Sequence, residues 1–584
     1  MGYRLWVIGI CLLSVVHVYG LTIPQGTLYF DNSKTKYNAV RFVYGDAQKT
    51  TVLAMTQDGI KWSVNIPQQV NDMYRFTFVG SDVNTGVYDQ SFSTYKDYIS
   101  NTLGINRTAT SEAQMNAGDI FVPSSGDNWA QGSWTALALW EASQGNNSGE
   151  AKISGTLPVV YINTTNNAVI DSKETYVPGT LYIDALSTDY KSLGTSAQPI
   201  AAQFKGRGNY TWIGFDKKPY RIKFDAKQEV LGMPKNKHWC LMAGADDCMG
   251  FLKNPMGYML SEAVGLAWTP RTVPVEVVLN GQYWGLYFLT EQVRVGSNRV
   301  NITEQEDNAT EEVSGGWLVE IDNYREDGNV EFDEGNGQHV MVTPKSPEIL
   351  SNEQYTYFKQ QMLSLNDAIY AKSSYTLLNM LDMESAAKYY VVQEVMEDCE
   401  SYHGSCYLYK DRDSNGKTAK WYFGPVWDFG NAYNRDQNTW IYVNPTFDQY
   451  WIAQIASRGE FKNVLAEQWY IFRHDKQQAV REQIKALATL IAKAAANDAA
   501  RWNGTQNYCN NSNMTARLND FISRYDKRTQ WLYSQWGEGT KPSATWNNYV
   551  DSEIQTESEK VIINGQLFIR VNHILYDITG KRIQ

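Results

Sequence analysis

Alternation of apolar and polar residues dominates the first third of the chain. Short aromatic and β-branched runs at 27–30, 39–44, 51–55 and 74–79 are separated by Gly, Asn and Asp turns, which predicts an all-β, sandwich-like module over 21–150. Trp62, Tyr74, Phe76 and Phe78 fit either a sandwich core or a sugar-stacking platform. The Ser-, Gly- and Asn-rich stretch 124–149 reads as a surface segment. A second β-rich stretch follows. In 220–224, Tyr220, Ile222 and Phe224 share one strand face, and Arg221 and Lys223 share the other. That basic face, beside the Gly-flanked Arg207, suits either phosphate groups or plain solvation. Asn280-Gly281 between two apolar runs predicts a tight hairpin that ends at Glu291.

The period then changes. Tyr355, Phe358, Met362, Leu365 and Ile369 follow helical spacing, and Asp382 is a fitting N-cap for a helix running toward Val395. Residues 464–535 read as helical, with a break at 503–513. After a hydrophilic linker at 552–559, apolar runs around the turn Asn564-Gly565 predict a small β tail over 555–584. The fold class is α+β.

Between the helix ending near Val395 and the next helices stand two short strand-like runs. Glu397, Asp398 and Glu400 precede 405–410, and 421–427 leads into Asp428-Phe429-Gly430. An acid, a hairpin and Asp-Phe-Gly is the order of parts in a protein-kinase catalytic loop.

Composition narrows the classes. With 584 residues, 43% hydrophobic and 20% charged, the chain is globular and too long for a single core. A net charge of -11 argues against nucleic acid or an anionic membrane as partner. Residues 1–20, with Arg4, an apolar run and Val18-Tyr19-Gly20, read as a signal peptide, so the mature protein is expected to be exported, with no transmembrane segment. Cys240 with Cys248 and Cys399 with Cys406 are plausible local disulfides, which would leave Cys509 free. No Gly-x-Ser-x-Gly elbow or His-Glu-x-x-His zinc motif supports a hydrolase.

Residues 155–540 resemble the CotH kinase family of secreted and spore-coat atypical kinases. The resemblance rests on Arg207-Gly-Asn-Tyr-Thr-Trp with Lys218-Pro-Tyr-Arg-Ile-Lys223, on Lys237-His-Trp-Cys-Leu-Met-Ala-Gly-Ala-Asp, and on Gly281-Gln-Tyr-Trp-Gly-Leu-Tyr-Phe-Leu-Thr-Glu291. It continues with Tyr402-His403 ahead of Tyr407-Leu-Tyr-Lys-Asp411, and with Gly424-Pro-Val-Trp-Asp428-Phe-Gly, all in the family's order. The tail resembles the C-terminal sorting domain of Bacteroidales-type exported proteins. The kinase resemblance implies a two-lobed fold that binds ATP with Mg or Mn and phosphorylates a protein substrate. By position, Asp428 would hold metal, and Lys223, with Lys218 as rival, would contact phosphates. Glu291 would orient that lysine or touch the nucleotide, and Arg207 would lie near the phosphate loop.

The chain departs from the family in the catalytic loop, where the family shows an Asp and then an Asn. Glu400 and Ser405 stand at those positions, and Asp398 replaces Glu400 if the register differs. Two readings follow. One is an active kinase with Glu400 as base and Ser405 at the metal. The other is a weak pseudokinase acting as a surface binding protein through a glycan-binding N-terminal module.

Overall fold

A computed structural model describes most of residues 21–542 and the strands of 558–577, leaving out 46–49, 81–114, 124–131, 141–151, 334–338, 436–437, 444–449 and some single positions. The signal-like residues 1–20, and the side chain of Tyr74, lie outside the described residues.

Near the N-terminus, a five-stranded sheet has the order Gly132–Ala136, Asp119–Pro123, Gly26–Asp31, Lys61–Ile66, Thr56–Asp58. A three-stranded sheet pairs Val40–Gly45 with Thr50–Ala54 and Arg75–Gly80. Phe30, Phe42, Trp62, Phe76, Phe78, Phe121 and Trp134 form one buried cluster. Trp62, Phe76 and Phe78 are therefore core residues and not a sugar platform. Their rings supply the large apolar area that holds these short strands together.

The next strands close into a seven-stranded barrel: Val159–Thr164, Val177–Asp184, Ile200–Gly206, Tyr220–Val230, Met233–Met242, Gln282–Glu291 and Thr272–Leu279. Alternation decides its contents. Tyr220, Ile222 and Phe224 point inward with Phe204, Trp239, Val275 and Leu289, while Arg221 and Lys223 lie in register with Cys240 and His238 on the outside. The hairpin turn is Asn280-Gly281, and both residues have positive φ (49° and 78°).

A five-stranded sheet follows in the order Val330–Asp333, His339–Ser346, Trp317–Ile321, Cys406–Lys410, Trp421–Phe423. It packs with helices into the largest core. Helix Asn352–Tyr370 starts with a Ser351 capping box and buries Phe358, Met362, Leu365 and Ile369. Helix Met383–Met396 starts where the Asp382 carboxylate accepts from the Ser385 N–H at 2.7 Å. Helices Gln477–Trp502 and Met514–Trp536 are joined by a loop that returns to the barrel. Among the described residues no helix is long and apolar enough to cross a membrane.

Cysteine pairing differs from the local bridges expected. Among the described residues, the disulfide joins Cys248 to Cys509, while Cys240, Cys399 and Cys406 are buried outside it. The partners are 261 residues apart, a contact that only the fold creates. Cys399 and Cys406 are seven positions apart, but one lies in the loop and the other begins a sheet strand whose register is set by Ile321.

Candidate functional site

Helix Met383–Met396 ends at Glu397, which is left-handed at φ 49°. The chain then loops through 398–405 before entering the sheet at Cys406. Inside this loop the two rival acids separate. Asp398 is 1% exposed, forms a bridge with Ala432, and takes the Ser401 hydroxyl on its carbonyl at 2.7 Å. Burial pushes its carboxyl well above the usual range. Glu400 instead lines an open cavity of about 650 Å³, as does Ser405.

The fit of Glu400 depends on Gly404. A Cβ there would lie 2.6 Å from Glu400 Cγ and 3.0 Å from its Oε1. The missing side chain makes room for a glutamate, one methylene longer than aspartate. Asn431 donates to Glu400 Oε2, and Asn323 donates to Oε1 at 3.1 Å. Burial pushes the Glu400 carboxyl up, with Asp428 acting in the same direction, and the two amides pull it down.

The second half of the site is the turn after strand Trp421–Phe423. Trp427 and Phe429 are buried on either side of Asp428, which is exposed and left-handed at φ 57°. Phe429 is anchored twice. Its N–H donates to Asn254 at 2.9 Å, and its ring fills the space that Gly257 leaves on helix Lys253–Val264. A non-glycine residue held at positive φ by buried neighbours is the kind of local strain that clusters at functional sites.

Asp246 comes to the same place from the loop after strand Met233–Met242. A Cβ built on Gly430 would lie 3.1 Å from Asp246 Oδ2 and 3.3 Å from Asp428 Oδ1. Burial pushes Asp246 up to about 6, and Asp428 adds to the shift. Asp247, next in sequence, holds the local backbone instead, because its carboxylate accepts the N–H groups of Met249 and Lys253. Cys248 and Cys509 line the same cavity, so the disulfide fixes the Asp246 loop to the 503–513 loop.

The cations that line the cavity are Arg207, Arg221 and Lys345, the last paired with Glu320 and Glu326. Arg207 stacks on the Trp427 ring at 5.5 Å and lines the cavity together with Gly208 and Arg221. The lysines expected at the phosphates lie elsewhere. Lys218 donates to the Trp212 carbonyl at 2.6 Å, and Lys223 sits 5.7 Å from the Tyr176 ring on the barrel exterior. Neither lines the cavities around Arg207. The neighbouring Lys217 faces inward and pairs with Asp498 at 2.8 Å, with no exposure on either side chain. Glu291 is also fully buried, clamped by Arg271 at 2.9 Å and Arg299 at 2.5 Å. It braces the strand end and does not line the cavity.

The structure thus brings Arg207, Glu400, Ser405 and Asp428 to one cavity and leaves Lys218, Lys223, Glu291 and Asp398 outside it. Asp246, Asn431 and Asn323 are additions. The pair Asp246-Asp247 is visible in the sequence as acids just ahead of a helix, but nothing local tells which of the two faces the cavity. Chemically, the cavity offers cations for an anionic substrate, two carboxylates that meet at Gly430, a third carboxylate held by two amides, and a further acidic group made by Glu320, Asp322 and Glu326.

A comparison with curated proteins finds no match. The family model described as CotH kinase protein matches residues 203–532, more than half of the chain, and that span contains every cavity residue named above. The chain belongs to the CotH kinase family.

Proposed function

We propose that this chain is an exported kinase that transfers the γ-phosphate of ATP to Ser or Thr hydroxyls of a protein, with Mg or Mn. The observation that carries this reading is Asp428, presented at positive φ into the same cavity as Asp246, Glu400 and Arg207. Phosphoryl transfer asks a protein mainly for positioned cations and metal-holding carboxylates.

The donor set fits a hard divalent cation. Asp246 and Asp428 each present a carboxylate oxygen at the space that Gly430 leaves clear. The cation, when bound, supplies charge neutralisation at the phosphate oxygens. Arg207, held by the Trp427 ring, and Arg221 bind the phosphate chain. Glu400, held between two amides, takes the proton of the acceptor hydroxyl as its oxygen bonds to the γ-phosphorus and the bond to the bridging oxygen breaks. Ser405 lines the same cavity as a weaker polar group. Export is supported by the signal-like residues 1–20 and by the Cys248–Cys509 disulfide, which suits an oxidising compartment.

The test uses mature protein with ATP and Mg or Mn, reading autophosphorylation and transfer to dephosphorylated casein. Transfer is expected in wild type and is expected to be lost in Asp428→Ala and Glu400→Gln. Equal labelling in wild type and Asp428→Ala, or no labelling in any form, overturns the proposal.

A further inference from the structure

The carboxylate of Glu400 lies in a loop but is held as if on a rigid element. Its contacts form a chain of fixed polarity. The Lys253 ammonium has donors only, so the oxygen Oδ1 of Asn434 faces it, at 2.7 Å. The nitrogen of Asn434 then donates to Asn431 Oδ1 at 3.0 Å, and the nitrogen of Asn431 donates to Glu400 Oε2. From the other side, Asn323 donates to Glu400 Oε1, and its own oxygen meets His403 Nδ1 at 2.7 Å, which places the ring proton on Nδ1. Every link runs from a donor toward Glu400, so both carboxyl oxygens act as acceptors in the arrangement.

Lys253 has a second contact that gives the chain its meaning. The same ammonium donates to the Gly430 carbonyl at 2.9 Å. Gly430 lies between Asp428 and Asn431, in the turn that carries the Asp428 carboxylate. Lys253 is 2% exposed and begins helix Lys253–Val264, with its N–H on Asp247. One buried cation therefore fixes the Asp428 turn directly and Glu400 through two amides.

We propose that Lys253, acting through Asn434 and Asn431, is the positioning anchor that sets Glu400 in register with Asp428. The consequence for turnover rests on the kinase reading above; the relay itself does not. It explains how a glutamate on a loop serves where a shorter acid is expected. The longer side chain is accommodated by Gly404 and drawn to a fixed point by Asn431 and Asn323.

The experiment combines crystal structures with steady-state kinetics of the mature chain, using ATP and Mg. Asn431→Asp keeps the shape but removes the donor. The expected result is a Glu400 carboxylate displaced out of hydrogen-bond reach of residue 431, with kcat lower by about 100-fold and KM for ATP nearly unchanged, as a misplaced catalytic group requires. Asn434→Ala, at an exposed position, removes the middle link and should lower kcat by about 10-fold with the same KM pattern, the effect of one hydrogen bond. Glu400 unmoved in Asn431→Asp, or kcat unchanged in both variants, overturns the relay. If wild type neither binds nor uses ATP, the kinase reading fails, while displacement of Glu400 in Asn431→Asp still supports the anchor.

Discussion

Asp246 and Asp428 meet at Gly430, with Asp246 Oδ2 and Asp428 Oδ1 each within 3.3 Å of the point where a Cβ on that glycine would sit. One acid comes from the loop after a barrel strand and the other from the turn after a sheet strand, so the pair exists only in the folded chain. Gly430 is not at positive φ, and alanine there is acceptable to the backbone. Its methyl would instead crowd one oxygen of each carboxylate. Gly430→Ala should keep the wild-type far-UV spectrum and melting temperature while losing the Mn-dependent thermal shift. Retention of that shift would mean that the pair does not hold the cation.

Gly404→Ala tests the neighbouring carboxylate. The added methyl meets Glu400 Cγ at 2.6 Å, so the side chain must move. Nucleotide affinity should stay within about twofold, while phosphate transfer falls by about 100-fold, the cost of shifting a catalytic group by roughly 1 Å. Parallel loss of affinity and transfer would indicate collapse of the loop instead.

Lys217 and Lys223 are six residues apart and opposite in role. Lys217 pairs with Asp498 in full burial and also donates to the carbonyls of Ala243 and Leu286. Burial pulls Lys217 down and Asp498 up, and each partner opposes the shift of the other. Lys217→Met leaves an uncompensated buried carboxylate and should cost about 3–5 kcal/mol in urea unfolding. Lys223→Ala should stay within about 0.5 kcal/mol of wild type. Similar losses for the two would contradict the placement.

His403 provides a pH test. Burial pulls its pKa down to about 4, against about 6.5 in an unfolded chain. Between those values the unfolded state binds the proton and the folded state does not, so stability falls as pH drops from 7 toward 4. The contribution is about 3 kcal/mol at its full extent. His403→Gln should therefore lose less stability than wild type between pH 7 and 4.5 in denaturant titrations. An identical pH slope would show that His403 is not the group responsible.

Local pattern carried much of the fold. The inward set Tyr220, Ile222 and Phe224, the Asn280-Gly281 turn, the Asp382 cap and the helix through Phe358 to Ile369 all follow from spacing and turn chemistry. Motif order also brought Asp428, Glu400 and Arg207 within reach of one another. What spacing could not give is which of several like residues faces the cavity. Lys217, Lys218 and Lys223 lie within seven residues, and their environments are set by Asp498, Trp212 and Tyr176. Glu291 ends a strand as expected, but its burial depends on Arg271 and Arg299 arriving from outside that strand. The Cys248–Cys509 bridge and the Asn323–Glu400 bond span 261 and 77 residues, distances at which sequence neighbourhood carries no signal.

If Asp428 and its partners hold ATP together with a divalent cation, isothermal titration of the mature protein with ATP, with and without Mg, will show it without any assumption about the phosphate acceptor. The predicted result is binding that requires both ligands and disappears in Asp428→Ala, with the variant otherwise folded. Absence of binding in wild type, or equal Mg-dependent binding in Asp428→Ala, would contradict it.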